Sequence, residues 1–484
     1  MRRLLALLLV LGACASGQDP AIDSDQEAAP RSSTTTASTT TTSTTTTTTA
    51  PPVTTVPAQP ATATCPAVPA RRLPDPNRPV YQLDMRLDLD RNVVAGRQVV
   101  RFTPDLPTDR LVFRLWPNGP RPAADGARLD VPEVLLGHGA PARVERPDPT
   151  TLVVLLDAPL AAGESIEVTV PWTLTLPGPA NDRTSRRGDT VRLGTFHPLL
   201  AWEPGVGWHA QPPTTLFAEA TSAPIADYSL GISAPPGITV LASGVPDGGR
   251  WRASAVREVA VSFGRFRVAE GTANGGAGPV HVTVGVEGGM ADDPAAYLRT
   301  VVASLEDFGR RFGPYPYERF TLALTPDLGG GIEYPGFVHQ GPNTGGRTTP
   351  HEVGHQWFYA LVGNDQGRDP WIDEGLATWA EARFLGNLAD LRARDIPAAG
   401  EGRAGEPMTY WASRRDAYYR SVYVQGAQAV AALGDADLVD CALRHVVATN
   451  AYAIATNRSI IDALRAVFPE AEAVLARYGI RPQA

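Results

Sequence analysis

The chain has 484 residues, too many for a single compact core, so two or three domains are expected. Its 43% hydrophobic and 19% charged residues are those of a globular protein. The net charge of -8 argues against a nucleic-acid binder, which would carry a basic face. All 43 basic residues are arginine, a usage whose plain reading is coding bias rather than function.

In chain order, Arg2 and Arg3 precede an apolar run from Leu4 to Leu11, followed by Gly12, Ala13 and Cys14. A charged start, a short apolar core and small residues predict an export signal over 1–14, and the run is too short to span a bilayer. "LGAC" also resembles the lipoprotein box, which implies a lipid on Cys14, membrane attachment and an extracytoplasmic location. A plain secretory signal is the alternative. Residues 15–70 are dominated by threonine with Ser, Ala and Pro, a composition that buries nothing and reads as a disordered linker or glycosylated stalk. Beyond Cys14 only Cys65 and Cys441 remain. Outside the cytoplasm they are expected to close one disulfide, with two unpaired thiols as the alternative.

From about Val80 the pattern alternates with period two. "YQLDMRLDLD" puts Tyr81, Leu83, Met85, Leu87 and Leu89 on one face, as in a half-buried strand. Similar runs predict an all-β domain over 75–270, ending at the glycine-rich "EGTANGGAGP". A second domain follows over 278–484: "VHVTVGV" and "RFTLALTP" read as strands, and "DPAAYLRTVVASLEDFGRRFG" as a helix. Helical patterns dominate after Thr349.

Within them lies "TTPHEVGHQW". On a helix, His351 and His355 project from one face a turn apart and can share an ion, with Glu352 beside them to reach a water on it. Thr349 as N-cap and Pro350 in the first turn would start that helix. Eighteen residues after His355, Glu374 opens a second helical run, "WIDEGLATWAEAR". A turn at "VGNDQGRDP" would return Glu374 to the histidines. Three ligands with one open position suit a single hydrolytic Zn2+.

HExxH followed after 18 residues by Glu resembles the zinc aminopeptidase family of aminopeptidase N and the leukotriene hydrolase. "GGIEY" (Gly330 to Tyr334) is similar to that family's GxMEN strand, and "VYVQGAQAV" to its Y-x-K-G-A helix. The likeness runs over roughly residues 79–470. It implies an all-β N-terminal domain followed by a thermolysin-like α+β, mainly helical zinc peptidase domain. It further implies that His351, His355 and Glu374 ligate zinc and that Glu352 is the general base. Glu333 would hold the substrate's free amino group, Gly330 and Gly331 at the start of its strand would also bind substrate, and Tyr423 would assist the transition state. Tyr418 and Tyr419 compete with Tyr423 for that role.

There are departures from the family pattern. Ile332 and Tyr334 replace the usual methionine and asparagine, and Gln425 replaces the usual lysine. The residues that supply a further amine contact from the β domain find no match in "PTTLFAEATSAPIADYS". The expected function is a zinc aminopeptidase acting on peptides with a free N-terminus, without nucleic-acid partners. The alternatives are a thermolysin-type endopeptidase, or a peptide-binding lipoprotein without catalysis.

Overall fold

Alternation in the strand Val80–Asp88 buries Tyr81, Leu83, Met85 and Leu87 on one face, as the period-two pattern requires. This strand is the middle of the largest sheet, antiparallel to Val93–Phe102 and parallel to Ala226–Ser233. Ile166–Thr175 and Arg250–Val256 extend it on either side. Two four-stranded sheets pack with it, one built on Thr108–Arg114 and Thr151–Leu160, the other on Thr190–Gly194 and Ala260–Gly264. One apolar core joins the three. The computed structural model describes residues 65–137, 139–211, 213–215 and 222–482. The expected export signal, Cys14 and nearly all of the threonine-rich stretch lie outside the described residues. No helix among the described residues is long and apolar enough to cross a membrane.

The second region has its own core and begins earlier than the glycine-rich segment. Phe266–Asn274 pairs with Pro279–Glu287 as a hairpin in a new five-stranded sheet. Residues 270–279 therefore contain a tight turn, at Gly276 and Gly278 with positive φ, and not a boundary. The change of sheet falls between Gly264 and Phe266. Pro279–Glu287, Arg319–Leu324 and Phe337–Gln340 run parallel, and Gly331–Tyr334 closes the edge antiparallel to the last.

The crossover between the first two parallel strands is the helix Pro294–Phe312. Asp293 caps it by accepting from Ala295 N at 3.0 Å, with Pro294 at the first position. Val301, Leu305, Phe308 and Phe312 form its buried stripe. The remaining helices fold against this layer, and two of them carry the histidine motif and Glu374.

Buried arginines join the two regions. Arg192, in the β region, donates to Ala180 O at 2.6 Å and Asp182 O at 2.8 Å, and across the junction to Thr325 Oγ1 at 2.9 Å. Arg257 donates to Ala223 O and Tyr359 O, both at 3.0 Å, and to Ala453 O. A buried guanidinium is tolerated only when its hydrogens are used in this way.

Cys65 and Cys441 form the expected disulfide, tying the start of the described chain to the helix Ala436–Asn450 across a separation of 376 residues. Loop closure on this scale restricts the unfolded chain, with a typical stabilisation of about 2–4 kcal/mol. Cys441→Ser should lower the melting temperature by a few degrees, and reduction of the wild type should do the same. Superimposable melts would show that the bridge carries no stability.

Candidate metal centre and active site

The motif helix spans Thr348–Gly354, with His355 as its last cap. Arg347 occupies the N-cap position, so Thr349 does not cap the helix. Its hydroxyl is instead held by Gln340 Nε2 at 2.9 Å. The helix is short, because the chain turns at Gln356. The return helix Trp371–Leu385 places Glu374 in its first turn. Gly375 lies against Gly426, and a Cβ on Gly375 would come 3.0 Å from Gly426 Cα. This close approach brings the helical segment bearing Tyr423 against the return helix.

His351 Nε2, His355 Nε2 and Glu374 Oε2 converge on one point. Their separations are 3.1 Å between the histidines, and 3.2 and 3.3 Å from His351 and His355 to the carboxylate. Ligands about 2.0–2.1 Å from a tetrahedral zinc lie roughly 3.3 Å apart, so the triangle fits that ion. Two ring nitrogens facing each other across such a gap also need a cation or a proton between them.

Second contacts fix both rings. His355 Nδ1 donates to Phe358 O at 3.1 Å, and His351 Nδ1 lies 3.3 Å from Glu381 Oε2, leaving both Nε2 atoms facing the centre. Arg347 in turn bonds Glu381 and Tyr419. Glu381 escaped the sequence reading, although it lies seven residues after Glu374, two turns along the same helix face.

Glu352, Glu333 and His355 form a second group around the same centre, all buried. Gly331 makes room for the Glu352 side chain: a Cβ there would lie 2.3 Å from Glu352 Cδ. Gly330 accepts from Gly341 N at 2.8 Å, anchoring the strand start. Glu333 Oε1 accepts from Gln366 Nε2 at 3.0 Å, and Gln366 also reaches Asp373 Oδ2 at 2.9 Å. Neither Gln366, in the loop, nor Asp373, in the first turn of the return helix, was identified from sequence, since no local pattern singles them out.

Among the three competing tyrosines, it is Tyr423 that faces the centre. Its hydroxyl donates to Glu374 Oε1 at 2.7 Å and its ring stacks on His351 with centroids 5.7 Å apart. It lies in a π-helical turn, Arg420–Val424, which advances it relative to a regular helix. Tyr418 is buried against Trp411, and Tyr419 is engaged with Arg347. Gln425 points away, donating to Gly400 O at 2.7 Å.

The electrostatics follow from this crowding. Burial opposes charge on His351, but hydrogen bonds to Glu374 and Glu381 outweigh it and push the ring up to about 9. His355 is likewise raised against its burial, by Glu333 and Glu374. Glu374, despite burial, is pulled down to about 2 by the two histidines. Burial pushes Glu352 up to about 8 and Asp373 up to about 8, with neighbouring carboxylates adding to both shifts.

Without a metal, the folded protein therefore holds protons on His351 and Glu352 that the unfolded chain releases at lower pH. That contribution to stability is complete below the unfolded values and is lost as pH rises through about 8 to 9. Chelator-stripped protein should melt progressively lower between pH 6.5 and 9, and zinc addition at pH 7 should release protons. Calorimetry in buffers of different ionisation enthalpy measures that release. An uptake of protons, or none, would contradict this electrostatic account.

No protein-family model matches the chain. Solved structures do resemble it. An M1 zinc metallopeptidase from Deinococcus radiodurans is 19% identical over 85% of this chain and 95% of its own, with a TM-score of 0.61. A glutamate-to-alanine mutant of an M1 zinc metallopeptidase from Deinococcus radiodurans reaches a TM-score of 0.62 at 19% identity, covering 84% of this chain and 96% of its own. Another such mutant from Deinococcus radiodurans, bound to a Tyr-Ser-Ala substrate, gives 0.57 at 20% identity, over 84% of this chain and 95% of its own. The chain thus has the fold of these M1 zinc metallopeptidases, a β-rich N-terminal region followed by a mainly helical one.

Proposed function

We propose that the protein is a zinc metallopeptidase of the aminopeptidase type, removing N-terminal residues from peptides. The reading is carried by one observation: the donor triangle of His351, His355 and Glu374 has Glu352 and Glu333 buried beside it. The Tyr-Ser-Ala substrate bound by one structural neighbour supports a peptide as substrate.

When bound, a zinc ion supplies a Lewis acid that polarises the scissile carbonyl and activates a water near neutral pH. Glu352 accepts the proton of the attacking water and passes it to the departing amine. Burial raises this carboxyl and a dication beside it would lower it, which keeps it near the range that both transfers need. Tyr423 turns its hydroxyl from Glu374 to the oxyanion that develops on the carbonyl. Glu333 pairs with the substrate's ammonium, and this contact sets the cut one residue from the end. Arg347 and Glu381 keep His351 in the required tautomer and orientation.

We also propose an extracytoplasmic protein, held at the membrane through a lipid on Cys14. The Cys65–Cys441 bridge supports an oxidising compartment. The net charge of -8 gives no footing for nucleic acid.

Glu352→Ala should abolish turnover of aminoacyl arylamides, by about a hundredfold or more, while retaining one zinc per chain. Unchanged turnover in that variant would refute the mechanism. Glu333→Ala should raise KM for unblocked peptides and erase their advantage over acetylated ones. If the wild type already cuts acetylated peptides equally well, the enzyme is an endopeptidase. Zinc binding without hydrolysis of any peptide or arylamide would instead favour the non-catalytic reading.

A further inference from the structure

The loop between the motif and return helices carries Gln366, whose side chain is fully buried. Its Nε2 serves two carboxylates at once, Glu333 Oε1 at 3.0 Å and Asp373 Oδ2 at 2.9 Å. An amide nitrogen has two hydrogens to give, whereas the amide oxygen in that place would face two acceptors. The Glu333 carboxylate, as an acceptor, therefore calls for the amide nitrogen on its side.

The loop itself is held on several sides. Gly363–Asn364 pairs with Ile454–Ala455, and Asn364 Nδ2 donates to Asp369 O at 3.1 Å. Asp365 Oδ1 accepts from Gly367 N at 3.0 Å and Arg368 N at 3.1 Å. From the β region, His209 Nε2 lies 3.0 Å from Asp365 Oδ2. Gly367 O accepts from Met408 N at 2.9 Å. On the far side, Asp373 is fixed because its Oδ1 accepts from Glu374 N at 2.9 Å. Gln366 is thus a donor mounted on a rigid frame.

We propose that Gln366 is the positioning residue of the amine anchor: it sets the orientation of the Glu333 carboxylate so that an incoming ammonium meets it in one geometry. The inference rests on Glu333 being that anchor. The chemistry of the residue type supports it. An arginine or lysine in this place would orient Glu333 equally well but would neutralise it and compete with the substrate's cation. A neutral amide holds one oxygen of the carboxylate and leaves its charge for the ligand.

The test is calorimetric binding to zinc-loaded protein, using leucine hydroxamate and its desamino analogue, 4-methylpentanoyl hydroxamate. The two probes differ only in the amine. Gln366→Met keeps the side-chain length and removes the donor. It should weaken leucine hydroxamate about tenfold and leave the desamino compound unchanged. Equal weakening of both compounds, or of neither, overturns the positioning role. Glu333→Ala is measured in parallel. If it leaves the preference for the amino compound intact, the anchor reading falls, and the role of Gln366 with it. If Glu333→Ala erases that preference and Gln366→Met does not, only the positioning role is lost.

Discussion

The centre of the protein depends on the demand of crowded, buried carboxylates for positive charge. Glu333, Glu352, Asp373, Glu374 and Glu381 are all at most 5% exposed and are gathered around two histidines. Two like charges 4 Å apart repel by about 4 kcal/mol at an effective dielectric of 20, and more in drier surroundings. Such a group folds only if cations or protons answer it. Arg347 answers Glu381 from outside the triangle. His351 and His355 answer Glu374 by taking up protons, until a dication displaces them. Metal affinity and proton affinity are therefore two solutions to one electrostatic problem.

The β region contributes to that arrangement from a distance. Tyr359, just past the motif helix, has φ of 144°, a conformation that costs a side-chain-bearing residue about 1–3 kcal/mol. Arg257 holds its carbonyl, and its hydroxyl donates to the buried Glu258. Both holders are neighbours in the β region, so the strain is offset by contacts between the two cores. The result is a sharp turn that presents the preceding carbonyl, that of Phe358, to His355 Nδ1. One metal-facing nitrogen thus depends on a junction between the two regions, which gives a physical reason for the β sheets to accompany the helical part.

What was legible in the sequence was what repeats or stays local. Alternation exposed the strand Val80–Asp88, and helical spacing exposed His351 and His355 on one face. Spacing also offered Glu374, resemblance then supplied Glu333 and Tyr423, and the geometry brings all three to the histidines. Glu381 was readable in principle from its two-turn spacing after Glu374. Gln366 was not, because its role arises from where a loop is held and not from any pattern in it. Arg257 and Tyr359 are 102 residues apart, and no local rule pairs them. The glycine-rich segment misled for a simple reason: a hairpin turn and a linker both call for glycine, and only strand pairing separates them.

In the proposed reading, the direction of the cut follows from counting charges. Burial favours a proton on Asp373 near neutral pH, so it adds no charge to the site. When Glu352 has lost its proton, as it must to act as the base, and the histidines are neutral, Glu333, Glu352 and Glu374 carry three negative charges around one centre. A dication answers two of them and leaves one unanswered. An unblocked peptide brings the single positive charge that completes the balance, whereas an acetylated peptide or an internal segment brings none. Because Gln366 orients Glu333 without cancelling it, the uncompensated charge stays at the end of the site where an amino terminus can meet it. Selectivity for the amino end is then a property of the site's electrostatic deficit as much as of its shape.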